Sequence, residues 1–207
     1  MRHDIKQLTE LLEGQQINNF VEIGSRDGHD THYIAQYWNL KPENCFIIEA
    51  HPECFKTIIQ TYPQYVTLHA AASDKQGVVK FNAGVFGQEE NIGISSLLNR
   101  IISPFISKEV EVDGWRMEDI MNHMKVDGFD LIKIDVEGFG LQVLQGFGDK
   151  LYKTKAIQIE LEIKQVWEGQ SYYNDVVDYL GKYSFIVKDE ITLDEYQKDV
   201  LFINQNI

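Results

Sequence analysis

Apolar and polar positions along this chain switch between a helical period and short continuous runs, and the switches predict its elements. Ile5, Leu8 and Leu12 recur at helical spacing and Gly14 follows, which predicts a short amphipathic N-terminal helix. Short apolar runs then take over. Asn19 to Gly24 predicts strand one, followed by a glycine-containing turn and a helix around Thr31 to Trp38. Cys45 to Glu49 predicts strand two. Pro52 opens the next helix, in which Phe55, Ile58, Ile59 and Tyr62 fall at i, i+3, i+4 and i+7 on one face. Tyr65 to Ala70 predicts strand three.

Between Gly77 and Asp127 the alternation is interrupted by an extended segment, Val78 to Phe81, and a loop rich in Gly and Asn, Gly84 to Gly93. A strand from Glu109 to Asp113 and a helix around Met117 to Met124 follow. The alternation resumes with Phe129 to Asp135 as strand four, a helix from about Phe139 to Phe147, and Ala156 to Ile163 as strand five. Ser171 is the expected N-cap of a helix whose Tyr173, Val176, Val177 and Leu180 form an apolar stripe ended by Gly181. Phe185 to Val187 and Val200 to Ile203 are joined by an acidic connection with no long helix, so they predict an antiparallel closing hairpin. The whole pattern predicts an α/β fold: a mostly parallel sheet with helices on both faces and an antiparallel C-terminal hairpin. One domain is expected over residues 1–207, with 1–17 as an accessory helix and 77–127 as an insertion that forms a lid and acceptor region.

Two strands break the rule that buried strands are apolar. In strand four, Lys133, Asp135 and Glu137 share one face while Ile132, Ile134 and Val136 share the other. In strand five, Gln158, Glu160 and Glu162 alternate with Ile157, Ile159 and Leu161. Set side by side, these strands bring four carboxylates and one ammonium together near their carboxyl ends. Buried charge is costly unless it is paired or functional, which leaves two readings open: a functional site, or a structural ion pair, most simply Lys133 with Glu160.

Composition narrows the function. With 207 residues, 43% hydrophobic and 25% charged, the chain has enough apolar material for one well-buried core. Its net charge of -13 argues against nucleic acid and anionic membrane surfaces as partners, because both are held through Lys and Arg. Cys45 and Cys54 sit inside regular elements, which fits a reducing compartment better than a disulfide framework. No apolar run approaches membrane-spanning length and Met1 to Glu13 lacks a signal-peptide core, so a cytoplasmic protein is expected.

Ligands of open α/β sheets bind at the carboxyl ends of the strands, usually beside strand one. Here that place is Glu22-Ile23-Gly24-Ser25-Arg26-Asp27-Gly28. A dinucleotide fingerprint needs glycine where Arg26 stands, since backbone must approach a pyrophosphate there. What remains is Glu-x-Gly-x-x-x-Gly with an acidic residue, Glu49, at the tip of strand two, where a ribose-binding carboxylate is expected. That set suits a nucleoside with ribose hydroxyls and a cationic centre but no phosphate, and S-adenosylmethionine is the expected cofactor.

The motifs Glu22 to Gly28, Ile48-Glu49-Ala50, Ala71-Ala72-Ser73-Asp74, Ser95-Ser96-Leu97, Leu131 to Gly138 and Asp199-Val200-Leu201-Phe202 resemble, in order, those of the FkbM family of S-adenosylmethionine-dependent methyltransferases. The resemblance implies a class I methyltransferase (Rossmann-like) sheet. It also implies methyl transfer to a hydroxyl, often on a sugar, glycan or glycosylated small molecule. By position it implies that Gly24 lets the backbone close on the methionine part of the cofactor and that Glu22 faces the amino group. Ser25, Arg26, Asp27 and Gly28 would complete that loop. Glu49 with Ala50 would hold the ribose, and Ser73 and Asp74 would flank the adenine.

Methyl transfer to a neutral hydroxyl needs alignment and a destination for the proton, either a general base or a divalent metal. Asp135 is the first choice for that role and for contact with the cofactor, Glu137 and Glu160 the second, with Lys133 anchoring them. Such carboxylates can hold magnesium or calcium, but acidic clusters are unspecific and His29 and His32 lack a third ligand, so no metal ligand is assigned. Beyond strand five, Trp167 is the best acceptor-facing aromatic, ahead of Tyr172 and Tyr173. The loop Gly84 to Leu97 is expected to act as a lid. The competing expectation is a non-catalytic nucleoside-binding or scaffold protein with the same fold.

Overall fold

The structure, a computed structural model, describes residues 3–85, 93–102 and 106–207. Seven strands form the main sheet: β1 (Phe20–Ile23), β2 (Cys45–Glu49), β3 (Val66–His69), β7 (Leu131–Ile134), β8 (Ala156–Glu162), β9 (Phe185–Thr192) and β10 (Gln197–Asn204). Their order is β3-β2-β1-β7-β8-β10-β9. All neighbours are parallel except β10, which runs antiparallel to both β8 and β9. A smaller sheet, ordered β4-β6-β5, is built from β4 (Ala71–Ser73), β5 (Gly77–Gly84) and β6 (Ser107–Arg116).

The sheet needs cover on both faces because its central strands carry buried apolar residues on both. On one face, Phe20, Leu131, Ala156 and Leu201 pack against α1 (His3–Leu11) and α2 (His29–Tyr37), through Ile5, Leu8 and Ile34. On the other, Val21, Ile23, Ile132, Ile134, Ile157 and Ile159 meet α4 (Met117–Met124), α5 (Gly140–Phe147) and α6 (Tyr173–Gly181). Ile5 and Leu8 are fully buried, and each burial stabilises the fold by about 1.5–3 kcal/mol, enough to dock a helix too short to persist alone. The helix α3 (Pro52–Thr61) follows β2. No helix among the described residues is long and apolar enough to cross a membrane.

Three expectations are corrected. Strand three divides after His69: Ala70 N–H still bonds the Glu49 carbonyl at 3.1 Å, but β4 then leaves to pair with β6. The acidic connection before the C-terminus is mostly strand, since β9 and β10 extend to Thr192 and back from Gln197. The N-cap of α6 is Tyr172 instead of Ser171, and its N–H donates to the Asp175 carboxylate at 2.8 Å. Residues 86–92 of the expected lid lie outside the described residues.

Candidate active site

The strand order reverses between β1 and β7, and the turn after β1 fills that point. Gly24 N–H bonds the Ile48 carbonyl and Asp135 N–H bonds the Ile23 carbonyl, both at 2.9 Å, so the turn is sewn to the strands on either side. Gly24 adopts φ 78°, and a side chain there would drive its Cβ into the Asp135 carbonyl oxygen. Only glycine meets both conditions.

The rest of the loop is held from below by Glu22. Its Oε2 accepts from Ser25 Oγ at 2.8 Å, Thr31 Oγ1 at 2.6 Å and Thr31 N–H at 3.1 Å, and Ser25 Oγ in turn accepts from Gly28 N–H at 3.0 Å. Glu22 Oε1 faces Lys133 Nζ at 3.4 Å. With these partners Glu22 is a buried anchor under the turn.

Lys133 is also buried, and its ammonium lies 3.3 Å from Asp30 Oδ2 and 3.8 Å from Asp135 Oδ2. Burial alone would discharge it, but the carboxylates of Glu22, Asp135 and Asp30 together outweigh burial and hold it protonated, above its ordinary value. Burial raises the Glu22 carboxyl to about 7, against the pull of Lys133 and the hydroxyl donors. The expected pair of Lys133 with Glu160 does not form; Glu160 Oε1 accepts from Gln197 Nε2 at 2.6 Å instead.

Above this foundation lies a cavity of about 240 Å³ at the carboxyl ends of β1, β2 and β7. Glu49 stands in its wall, nearly fully buried. Its Oε2 accepts from Arg26 N–H at 2.8 Å and its Oε1 from His51 N–H at 2.7 Å. Each oxygen keeps room for one more donor. Burial raises the Glu49 carboxyl above its ordinary value, partly offset by those two N–H donors. His51 caps α3, accepting at Nδ1 from Glu53 and Cys54 N–H, while its Nε2 meets the Gly84 carbonyl at 2.8 Å. Ile48, Ala71, Ala72 and Phe81 make an apolar side of the cavity. Cys54 also lines it, but burial pushes its thiol up to about 12, so it is no nucleophile near neutrality.

At the other end stand Asp135, Glu137 and Glu160, each offering one oxygen within 4.8 Å of the others. Strand β7 stops at Ile134, so Glu137 does not reach this cluster by strand alternation as expected. A left-handed turn at Glu137 and Gly138, with φ 51° and 85°, swings it there. Ser96 Oγ locks the turn by donating to the Glu137 carbonyl at 2.6 Å. Gln197 Nε2 spans the gap between Glu160 and Glu137 Oε2, the latter at 3.3 Å. Burial, then the charges of Asp135 and of the neighbouring acids, lifts both Glu137 and Glu160 well above the usual carboxylate range.

Of the expected site residues, Gly24, Arg26, Glu49, Ala50, Asp135, Glu137 and Glu160 line the cavity. Glu22, Ser25, Asp27, Gly28 and Lys133 do not; they shape the loop and the floor beneath it. Ser73 and Asp74 also lie away from the cavity: Ser73 Oγ donates to Asp74 Oδ1 at 3.2 Å, and Ala71 and Ala72 of the same motif line it instead. Trp167 is corrected from an acceptor-facing ring to a fully buried one. It packs where a Cβ on Gly138 would come 2.6 Å from its Cδ1, with the Arg100 guanidinium 5.3 Å from the ring centre. The site also takes in His51, Phe81 and Phe139 of the lining and Gln197 on the acid cluster, which the motifs do not point to. His51 had a signal in its position before Pro52, but nothing in the sequence marks Gln197, which reaches the cluster only through the pairing of β10 with β8.

The sequence profile of the methyltransferase FkbM domain matches residues 22–187. The 2-O-methyltransferase NoeI of Sinorhizobium fredii is 23% identical over 200 residues, covering 88% of this chain and 79% of NoeI. The crystal structure of methyltransferase FkbM from Methylobacillus flagellatus KT aligns with a TM-score of 0.58 at 14% identity, over 91% of this chain and 44% of that one. TrmK of M. capricolum, solved in complex with S-adenosyl-homocysteine, aligns with a TM-score of 0.55 at 12% identity, over 100% of this chain and 69% of that one. At such identities the structural likeness speaks for the fold, a class I methyltransferase sheet.

Proposed function

Because this chain belongs to the methyltransferase FkbM domain family, we propose that it moves the methyl group of S-adenosylmethionine to a hydroxyl of a sugar, glycan or glycosylated small molecule. The observation that carries this reading is one cavity with Glu49 in one wall and Asp135, Glu137 and Glu160 at its end. The cavity fits the cofactor. Glu49 can accept both ribose hydroxyls while keeping its two backbone donors, and Ile48, Ala71, Ala72 and Phe81 suit an adenine face. The bare Gly24 backbone admits the methionine part, and the acid cluster attracts a sulfonium.

Bound there, the cofactor supplies a methyl group already activated on sulfonium. The chain's own task is alignment and proton removal. As the acceptor oxygen forms its bond to the methyl carbon and the carbon–sulfur bond breaks to leave S-adenosylhomocysteine, the hydroxyl proton passes to a carboxylate, with Asp135 the first candidate because it lies at the switch point beside Gly24. Glu137 and Glu160 orient the hydroxyl. Transfer to oxygen is further supported by the likeness to NoeI, a 2-O-methyltransferase.

The test is calorimetric titration with S-adenosylmethionine, S-adenosylhomocysteine and NAD, followed by transfer of labelled methyl to a panel of free and lipid-linked sugars. Heat with both sulfur nucleosides and none with NAD is expected, with label appearing on a hydroxyl. No heat with either sulfur nucleoside would remove the reading. Binding without transfer to any hydroxyl acceptor would favour a nucleoside-binding scaffold.

A further inference from the structure

The acid cluster gathers more carboxyl groups than its surroundings pair. Asp135, Glu137 and Glu160 meet around one point, each with an oxygen within 4.8 Å of the others. Glu162 lies two residues beyond Glu160 on the same face of β8, 2% exposed, with its Oε1 buried and without a hydrogen-bond partner. It sits close enough for its charge to act on Glu137 and Glu160, and for Asp135 to act on it. Four carboxylates thus face one region, and a buried acceptor oxygen among them lacks a donor.

The available cations fall short. Lys133 touches only Asp135 of the four, at 3.8 Å, and lies nearer Glu22 and Asp30. The positive charge of Arg100 reaches Glu137. Gln197 donates to Glu137 and Glu160, but an amide brings no charge. The cluster is nonetheless held in place by backbone: the left-handed turn at Glu137 is pinned by Ser96, and Glu160 is fixed by strand pairing to Asp199. Pre-arranged carboxylates that repel one another are a binding site for a cation.

We propose that Asp135, Glu137 and Glu160 hold a hard divalent cation of the magnesium and calcium class at the acceptor end of the cavity, with Glu162 behind them. Oxygen ligands alone select such ions over the softer transition metals. Calcium–oxygen distances of about 2.3–2.6 Å place ligand oxygens about 3.3–5.2 Å apart, and three oxygens within 4.8 Å of one another are compatible with that range. The cavity side of the site stays open to a hydroxyl. The ion's role there, acidifying the acceptor hydroxyl before its proton moves to a carboxylate, rests on the methyl-transfer reading; its binding does not.

The experiment titrates chelator-treated full-length protein with magnesium chloride and with calcium chloride, each alone, and titrates S-adenosylhomocysteine into the same preparation. One of the two ions is expected to bind with a dissociation constant between about 1 μM and 1 mM and to raise the melting temperature, an effect that EDTA reverses. Glu160→Gln and, as a second variant, Glu137→Gln should each weaken the ion at least tenfold while staying folded by circular dichroism. If S-adenosylhomocysteine binds but neither ion gives heat up to about 10 mM, the cation site is overturned and the methyl-transfer reading stands. Ion binding unchanged in both folded variants would also overturn it, as binding elsewhere. Ion binding without nucleoside binding would support the site and remove the methyl-transfer reading.

Discussion

Gly24 and Asp135 share one tight junction: the backbone of Gly24 packs so closely on the Asp135 carbonyl that no side chain fits between them. The residue that shapes the cofactor loop is therefore in register with Asp135, the proposed proton acceptor, and a change at one displaces the other. Gly24→Ala combines a left-handed φ with a backbone clash, so the cost should exceed the roughly 1 kcal/mol typical of alanine at positive φ. A melting temperature lower by several degrees and at least a tenfold loss of S-adenosylhomocysteine affinity are expected by calorimetry. Wild-type values for both would show that the junction can relax freely.

Glu49 ties cofactor binding to pH. Its ordinary value is 4.5, and burial raises it in the folded protein. A raised folded value means the folded state holds the proton more tightly than the unfolded chain does. The contribution of Glu49 to the stability of the free protein is thus fully present below 4.5 and lost as pH rises through the elevated folded value. Ribose hydroxyls want the opposite, an ionised acceptor. Affinity for S-adenosylhomocysteine should therefore grow with rising pH across that same window, and Glu49→Gln should bind weakly with a flat profile. A sloping profile in a folded Glu49→Gln protein would place the titrating group elsewhere.

Asp135→Asn separates chemistry from structure. Lys133 keeps Glu22 at 3.4 Å and Asp30 at 3.3 Å when Asp135 loses its charge, so fold and cofactor affinity should persist. Turnover should fall roughly 100-fold or more if this carboxylate takes or directs the acceptor proton. Single-turnover rates beside melting temperatures decide the point. A folded variant with normal turnover would remove Asp135 from the chemistry.

Lys133→Met is expected to do the reverse. It leaves Glu22 and Asp30 buried without their ammonium, and removing one member of a buried ion pair typically costs about 3–5 kcal/mol. Denaturant unfolding should show that loss, and added salt should change it little because the group is shielded from solvent. A loss under about 1 kcal/mol would mean that the carboxylates simply take up protons in its place.

Much of this molecule follows from local pattern. Apolar periodicity locates the core strands and most helices, because a strand or helix buries a face whose spacing the backbone dictates. Motif chemistry locates Gly24, Glu49 and Asp135 at one end of the sheet, since strand ends beside the switch point form one crevice in any such fold. Strand period alone carries no further: it predicts Lys133, Asp135 and Glu137 on one strand face, yet the strand stops before Asp135 and a left-handed turn delivers Glu137.

What the sequence determined by itself is the order of elements and the residue types at the strand ends, because both depend on interactions within a few residues. Which charges meet was decided only by tertiary structure. Lys133 pairs with Glu22 and Asp30 instead of Glu160 because β7 lies between β1 and β8 and its lysine faces α2. Gln197 spans Glu137 and Glu160 because an antiparallel strand brings it across from Glu162, and Trp167 is lost to the core because Gly138 leaves a hollow for it. Partners so distant in sequence are chosen by sheet register and by the space that packing leaves, and neither is written in the spacing of residues along one strand.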